Sequence, residues 1–183
     1  MSKDISKKLA GQIGEHLVVA ELGRRGIVAA PFAGNVPDID ILAYANGLAV
    51  PIQVKSMRQL SGSVDAAKFL RIRFDGEHQV IDGVAEDIDR DLIYVLVQIG
   101  KTRREDRFFV LEQGALQDLI LRNHSNVLQR FGGRRPKNWE STHCSYDPRD
   151  IVGSEENWAL IALKLGMDGE PSAYAQTTGD GAL

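Results

Sequence analysis

Asp38-Ile39-Asp40-Ile41-Leu42-Ala43-Tyr44-Ala45-Asn46-Gly47-Leu48-Ala49-Val50-Pro51-Ile52-Gln53-Val54-Lys55 decides the fold. Two β-prone runs, 38–45 and 48–57, flank Asn46-Gly47. Asn-Gly between alternating apolar runs is the strongest short hairpin signal, because both residues tolerate the positive φ of a type I′ turn. With a two-residue loop, Ala45 pairs with Leu48, Asp40 with Gln53 and Asp38 with Lys55. Side chains alternate along a strand, so Asp38, Asp40, Gln53 and Lys55 share one face. Asp40–Gln53 falls at a non-hydrogen-bonded rung, the closer kind, with Cα atoms about 4.5 Å apart. Pro51 falls opposite Leu42 at another such rung, where its missing N–H costs nothing.

This register gathers two carboxylates, an amide oxygen and an ammonium. Oxygen donors of that kind suit Mg2+ or Mn2+. Such an ion polarises a phosphoryl oxygen, while a nearby lysine orients water or stabilises developing charge. The same four residues also suit an exposed strand pair with a Lys–Asp surface bridge, worth at most about 1 kcal/mol. Spacing alone leaves both readings open.

On the N-terminal side, residues 5–25 read as an amphipathic helix. Ile5, Leu9, Ile13, Leu17 and Ala20 recur at spacings of three and four. Ser2 or Ser6 suits its cap and Gly26 its stop. Gly11 and Gly14 lie inside it, either as tolerated weak spots or as points where another backbone comes close. Residues 27–32 read as a short strand. On the C-terminal side, 92–99 and 107–112 read as a second hairpin around the charged turn 100–106. Residues 115–131 read as a helix with Leu116, Leu119, Ile120, Asn123, Val127 and Phe131 close to one face. Residues 132–153 are rich in Gly, Pro and Arg and look irregular. A closing helix, or a strand from Trp158, occupies 155–165. Strands between helices give a mixed α/β sheet with helices packed on it. One domain spans 1–166, with 167–183 a disordered tail.

At these residues the sequence resembles the PD-(D/E)XK nuclease superfamily, whose fold is a restriction-endonuclease-like mixed sheet flanked by helices. That pattern places an acid after a Pro-containing loop, then acid-x-Lys on the next strand, with a Glu from an early helix. Here it reads Pro37-Asp38-Ile39-Asp40-Ile41-Leu42-Ala43, then Ile52-Gln53-Val54-Lys55-Ser56, with Glu15 on the helix. The motifs cover residues 11–57, and the strand pair and helix in 92–131 fit more loosely. Asp40, followed by two apolar residues and Ala, resembles archaeal junction resolvases, and it stands 15 residues before Lys55. Gln53 replaces the second acid, a Gln-x-Lys variant that occurs among homing endonucleases and Mrr-like restriction enzymes.

The resemblance implies a divalent-metal-dependent nuclease acting on DNA, with Mg2+ or Mn2+ held by Asp40, Glu15, Gln53 and Asp38. Lys55 would align the nucleophile. Asp40, Gln53, Lys55 and Glu15 are the implied catalytic set. A homodimer is the arrangement by which such nucleases often cut both strands. The alternative is a catalytically weak or inactive module on the same fold that binds nucleic acid or protein. The amide brings no charge to a metal, and this alternative follows from it.

The net charge of −3 is unevenly spread. Residues 75–91 carry seven acids and one base, and 147–183 carry seven acids and two bases. The other 129 residues hold 19 bases and 11 acids. A basic body is therefore compatible with phosphate contacts, for which Arg58, Lys68, Arg130, Arg134, Arg135 and Lys137 are candidates. Arg71 and Arg73 fall in the same basic stretch. The lone Cys144 excludes an internal disulfide and a thiolate zinc cluster, and points to the cytoplasm. No apolar run approaches the ~20 residues of a membrane span. Trp139 and Trp158 read as packing residues.

Overall fold

The computed structural model describes residues 7–32, 38–57 and 62–167. Ser2, Ser6, Pro37, Arg58 and the tail beyond Met167 lie outside the described residues. In chain order the elements are helix α1 (Lys7–Arg24), strands β1 (Val28–Pro31), β2 (Ile41–Ala45), β3 (Leu48–Met57), β4 (Gly62–Asp65), β5 (Leu70–Asp75), β6 (His78–Val84), β7 (Ile93–Gln98) and β8 (Arg107–Glu112), helix α2 (Gln113–Arg130), strand β9 (His143–Tyr146) and helix α3 (Ala159–Lys164).

Asn46 and Gly47 have φ of +52° and +79°, which sets the β2–β3 hairpin in the expected register. Ala45 faces Leu48 and Ile41 faces Ile52. Asn46 Nδ2 also donates to the Gly166 carbonyl at 3.1 Å, tying the turn to the end of α3. The main sheet runs β1-β2-β3-β7-β8, with β3–β7 its one parallel pair. Two smaller antiparallel pairs, β4–β9 and β5–β6, complete the strands.

Strand β7 is buried from Ile93 to Val97 because both of its faces are covered. Ile93, Val95 and Val97 join Val18 and Leu22 of α1, Ile52 and Val54 of β3, and Trp158 and Ile161 near and within α3. Tyr94 and Leu96 face the other way, onto Leu116, Leu119 and Ile120 of α2. The α/β expectation therefore holds, with one core layer on each face of the sheet.

Helix α1 buries a different face from the one expected, and α2 buries only the first half of its expected face. In α1 the buried residues are Ala10, Gly14, Val18 and Leu22, while Leu9 is 47% exposed. The small residues Ala10 and Gly14 let the helix lie close on the sheet, so that side wins over the bulkier stripe. In α2 the expected Leu116, Leu119 and Ile120 are buried, but the face then turns through Gln117, His124 and Leu128, and Phe131 is 42% exposed. Gln117 is buried because its amide bridges separate segments. Nε2 donates to the carbonyls of Phe69 and Ala85 (2.8 and 2.9 Å), and the carbonyl end accepts from Arg90. A search for apolar period alone overlooks satisfied polar groups of this kind.

The stretch read as irregular contains β9, and the β5–β6 hairpin falls where charge alone was read. The closing element is helical but short, preceded by a 3-10 turn at Pro148–Ser154. Trp158 is packed against Phe108 with ring centroids 5.4 Å apart, and Trp139 against Phe74 at 5.9 Å, as expected of packing residues. No described helix is long and apolar enough to cross a membrane.

Candidate active site

The β2–β3 ladder ends at Ile41–Ile52. Beyond that rung the Asp40 N–H also points at Ile52, donating to its carbonyl at 2.9 Å. Two residues of one strand thus face one of the other, as in a β-bulge, which re-aims side chains at a sheet end. The Asp40 carboxylate fills the gap that results. Oδ2 accepts the Val54 N–H at 2.7 Å and the Gln53 Nε2. On its other side, the Asp40 carbonyl accepts the Phe32 N–H at 2.9 Å. Asp40 is therefore fixed through its N–H, its carbonyl and its carboxylate.

The bulge corrects one expectation. Asp38 is not in the strand opposite Lys55. It sits in a turn with φ of +63°, a conformation that Asp tolerates better than most residues. Its charge still acts on both Lys55 and Tyr94.

Gln53 and Lys55 alternate on β3 and share a face with Met57, away from Val54 and the α1 layer. Gln53 is only 5% exposed. Its amide N–H is committed to Asp40, leaving Oε1 as its remaining donor atom toward a cation. Lys55 reaches solvent. Its pKa is lowered, first by the desolvation of its surroundings and also by Lys68, against the opposing pull of Asp40, Asp38 and Glu15. Solvent contact at the side chain limits that drop.

Glu15 comes to the site from α1 through Gly14. A Cβ at position 14 would overlap Ser56 Oγ, so glycine lets the helix approach β3 this closely with Ser56 opposite it. Gly11 meets nothing within 4 Å, so of the two glycines only Gly14 marks a close approach. Burial and the Asp40 charge raise the Glu15 pKa, against smaller lowering effects from His16 and Lys55. Asp40 thus touches Gln53, and Asp40, Lys68, Asp38 and Glu15 all act electrostatically on Lys55.

Tyr94 was not anticipated. It is the register partner of Gln53 across the parallel β3–β7 pair, with its ring 5% exposed. Burial, with the Asp38 and Asp40 charges, pushes its phenol up to about 12, so it stays a neutral donor. In the sequence it is one residue of an apolar run. Only the long-range strand pairing gives it a face.

The donor set contains oxygen only. Among the described residues no three His, Cys, Asp or Glu side chains converge as a metal cluster. The repulsion between Glu15 and Asp40, with Gln53 bonded to Asp40, nonetheless fits a hard cation, which would relieve it.

The other basic candidates are used differently. Arg134 pairs with Glu77 (2.5 Å), and Arg130 lies over the Phe131 ring (5.5 Å). Arg135 donates to the carbonyls of Ser141 and His143, and Lys137 is exposed. None of these four joins Lys55 among the charges that act on it. Arg71 and Arg73 pair with Glu86 (2.6 Å) and Asp82 (3.2 Å).

A bacterial homing endonuclease, I-Ssp6803I, matches over 87% of this chain and 95% of its own, at 18% identity and a TM-score of 0.50. The fold is restriction-endonuclease-like. The Archaeoglobus fulgidus Holliday junction resolvase Hjc also aligns, over 86% of this chain and 96% of its own, at 14% identity. Its TM-score of 0.42 is too low to carry weight. No family model and no curated protein matches the chain. In this fold, the segment entering β2 carries Asp38 and Asp40, β3 carries Gln53 and Lys55, and α1 brings Glu15 toward them.

Proposed function

We propose that this protein is a divalent-metal-dependent nuclease that hydrolyses phosphodiester bonds in DNA. The observation that supports it best is the fixed Asp40 carboxylate beside Gln53 and Lys55, with Glu15 in electrostatic reach. The homing endonuclease of the same fold supports DNA as the substrate.

Asp40, Glu15 and the Gln53 oxygen are the groups to hold Mg2+ or Mn2+, with Asp38 supplying further negative charge. When bound, such an ion polarises a phosphoryl oxygen and lowers the pKa of its water. Lys55 orients the attacking water and stabilises the negative charge that develops on the phosphoryl group. The neutral Tyr94 phenol offers a donor on the same face. Gln53 brings no charge, so metal affinity is lower than an acid at that position would give. A homodimer places two such centres on one duplex. Val28 and Tyr44, exposed cross-strand partners at the β1 edge, offer apolar surface for it.

One observation favours a second reading, a non-cleaving nucleic-acid-binding module. Gln53 stands where the pattern has an acid, and no three-acid cluster forms among the described residues. Incubating the protein with single-stranded, duplex and branched DNA separates the two. Cleavage that needs Mg2+ or Mn2+ and stops in EDTA supports the nuclease. Binding without cleavage of any substrate supports the module.

A further inference from the structure

Helix α2 and strand β9 flank a cleft of about 260 Å3, lined by Asn123, His124, Asn126, Arg135, His143 and Ser145 among others, and by no carboxylate. The charged lining residue, Arg135, is fixed in place. Nη1 donates to the carbonyls of Ser141 (2.9 Å) and His143 (2.5 Å), while its other nitrogens have no partner among the described residues. His124, in the buried wall, donates its Nε2–H to Gln79 Oε1 at 2.9 Å, which leaves Nδ1 as an acceptor without a partner among the described residues. A positioned guanidinium and amide N–H groups suit a phosphate.

The cleft connects to the candidate active site. Lys68 acts electrostatically on Lys55 and on Asp65, and Asp65 is the register partner of His143. The Asp65 carboxylate is occupied by the Thr142 hydroxyl (2.6 Å) and the Ala67 N–H (3.0 Å), which hold its pKa down. Strand β9 then runs from His143 to Tyr146, whose phenol lies in electrostatic reach of Tyr94.

We propose that the α2–β9 cleft seats a backbone phosphate of the nucleic acid that flanks the scissile bond. Lys68 bridges the two positions. This inference rests on reading the hairpin as a nucleic-acid-processing centre. The ligand class is a nucleic-acid phosphate rather than a protein, because the lining offers donors and a guanidinium and little apolar surface.

The test is binding of a fluorescein-labelled 20-bp duplex, followed by anisotropy in EDTA between 50 and 200 mM KCl. Asn126→Asp places an anion in the cleft, and His143→Ala removes an exposed ring. Neither residue pins the fold as Arg135 does. Arg104→Ala removes one charge from the β7–β8 turn as a reference. The expected result is a Kd raised about tenfold by Asn126→Asp, with a log–log salt slope shallower by about 0.9. His143→Ala should give a smaller rise and Arg104→Ala no change. Wild-type affinity in both cleft variants, or an equal loss in Arg104→Ala, overturns the proposal. Inorganic phosphate that moves the His143 ring resonances when duplex does not also overturns it. Because binding is read without metal, a wild type that binds through the cleft but never cleaves overturns only the nuclease reading.

Discussion

The Asp40 carboxylate takes over the hydrogen bonding of its own hairpin: Oδ2 accepts the Val54 N–H at 2.7 Å, past the last backbone rung at Ile41–Ile52. One residue therefore terminates the ladder and faces the candidate centre. Asp40→Ala should cost about 1–3 kcal/mol, the price of an orphaned buried N–H. Asp40→Asn keeps an oxygen acceptor and should cost less. Both should abolish cleavage. Thermal denaturation beside a cleavage assay separates the two roles of Asp40.

Gln53→Glu should trade stability for metal. Without metal it loses the Nε2 bond to Asp40 and sets two carboxylates together in a buried site, costing about 1–3 kcal/mol. With Mn2+ present the new carboxylate becomes a ligand. Calorimetric titration should show Mn2+ bound about tenfold more tightly, one carboxylate for amide exchange being worth on the order of 1.4 kcal/mol.

Gly14→Ala should destabilise the fold by about 1–3 kcal/mol, because its methyl group meets Ser56 Oγ. It should also weaken metal binding by moving Glu15 away from Asp40. Ser56 Oγ is buried without a hydrogen-bond partner, so Ser56→Ala removes the obstruction at little cost. The double variant should recover part of both losses, a coupling that a double-mutant cycle measures.

Glu15 predicts a pH dependence. Its folded pKa lies above the unfolded value, so the folded chain binds that proton more tightly. Its contribution to stability is complete below the ordinary glutamate range, near pH 4.3, and is lost as pH rises through the raised value. Glu15→Gln should therefore be the more stable protein at pH 7, by less than about 1 kcal/mol because partial exposure screens the charge. The difference should shrink toward pH 4. Mn2+ should reverse the order at pH 7 by stabilising only the wild type. Melting curves at the two pH values, with and without Mn2+, check this.

The hairpin was readable in the sequence because its information is local. Asn46-Gly47 dictates a turn, the turn dictates the register, and the register places Gln53 and Lys55 on one face. The register fails at Asp40, where the hydrogen bond of a side chain replaces that of a backbone. Tyr94 and the β4–β9 pair were not readable, since each needs a partner distant in the chain: Gln53 for Tyr94, and residues 143–146 for 62–65.

Charge was misleading for the same reason. The segment 75–91 looks like an acidic block beside a basic body. In the fold Glu86, Asp82 and Glu77 pair with Arg71, Arg73 and Arg134. Glu155 of the second acidic segment pairs with Arg107 at 2.6 Å. Much of the apparent basic excess is thus neutralised, and Lys55 and Lys68 stand out as the cations at the candidate centre.

Nicking of supercoiled plasmid DNA by wild type and Lys55→Ala, purified side by side and assayed in Mn2+, tests the central claim most directly. Lys55 reaches solvent and its loss should leave the melting temperature unchanged or slightly higher. The expected result is metal-dependent nicking by the wild type that falls at least about a hundredfold in Lys55→Ala, the scale of one lost electrostatic stabiliser. Equal nicking by the two proteins, or none by either at millimolar Mn2+, would contradict it.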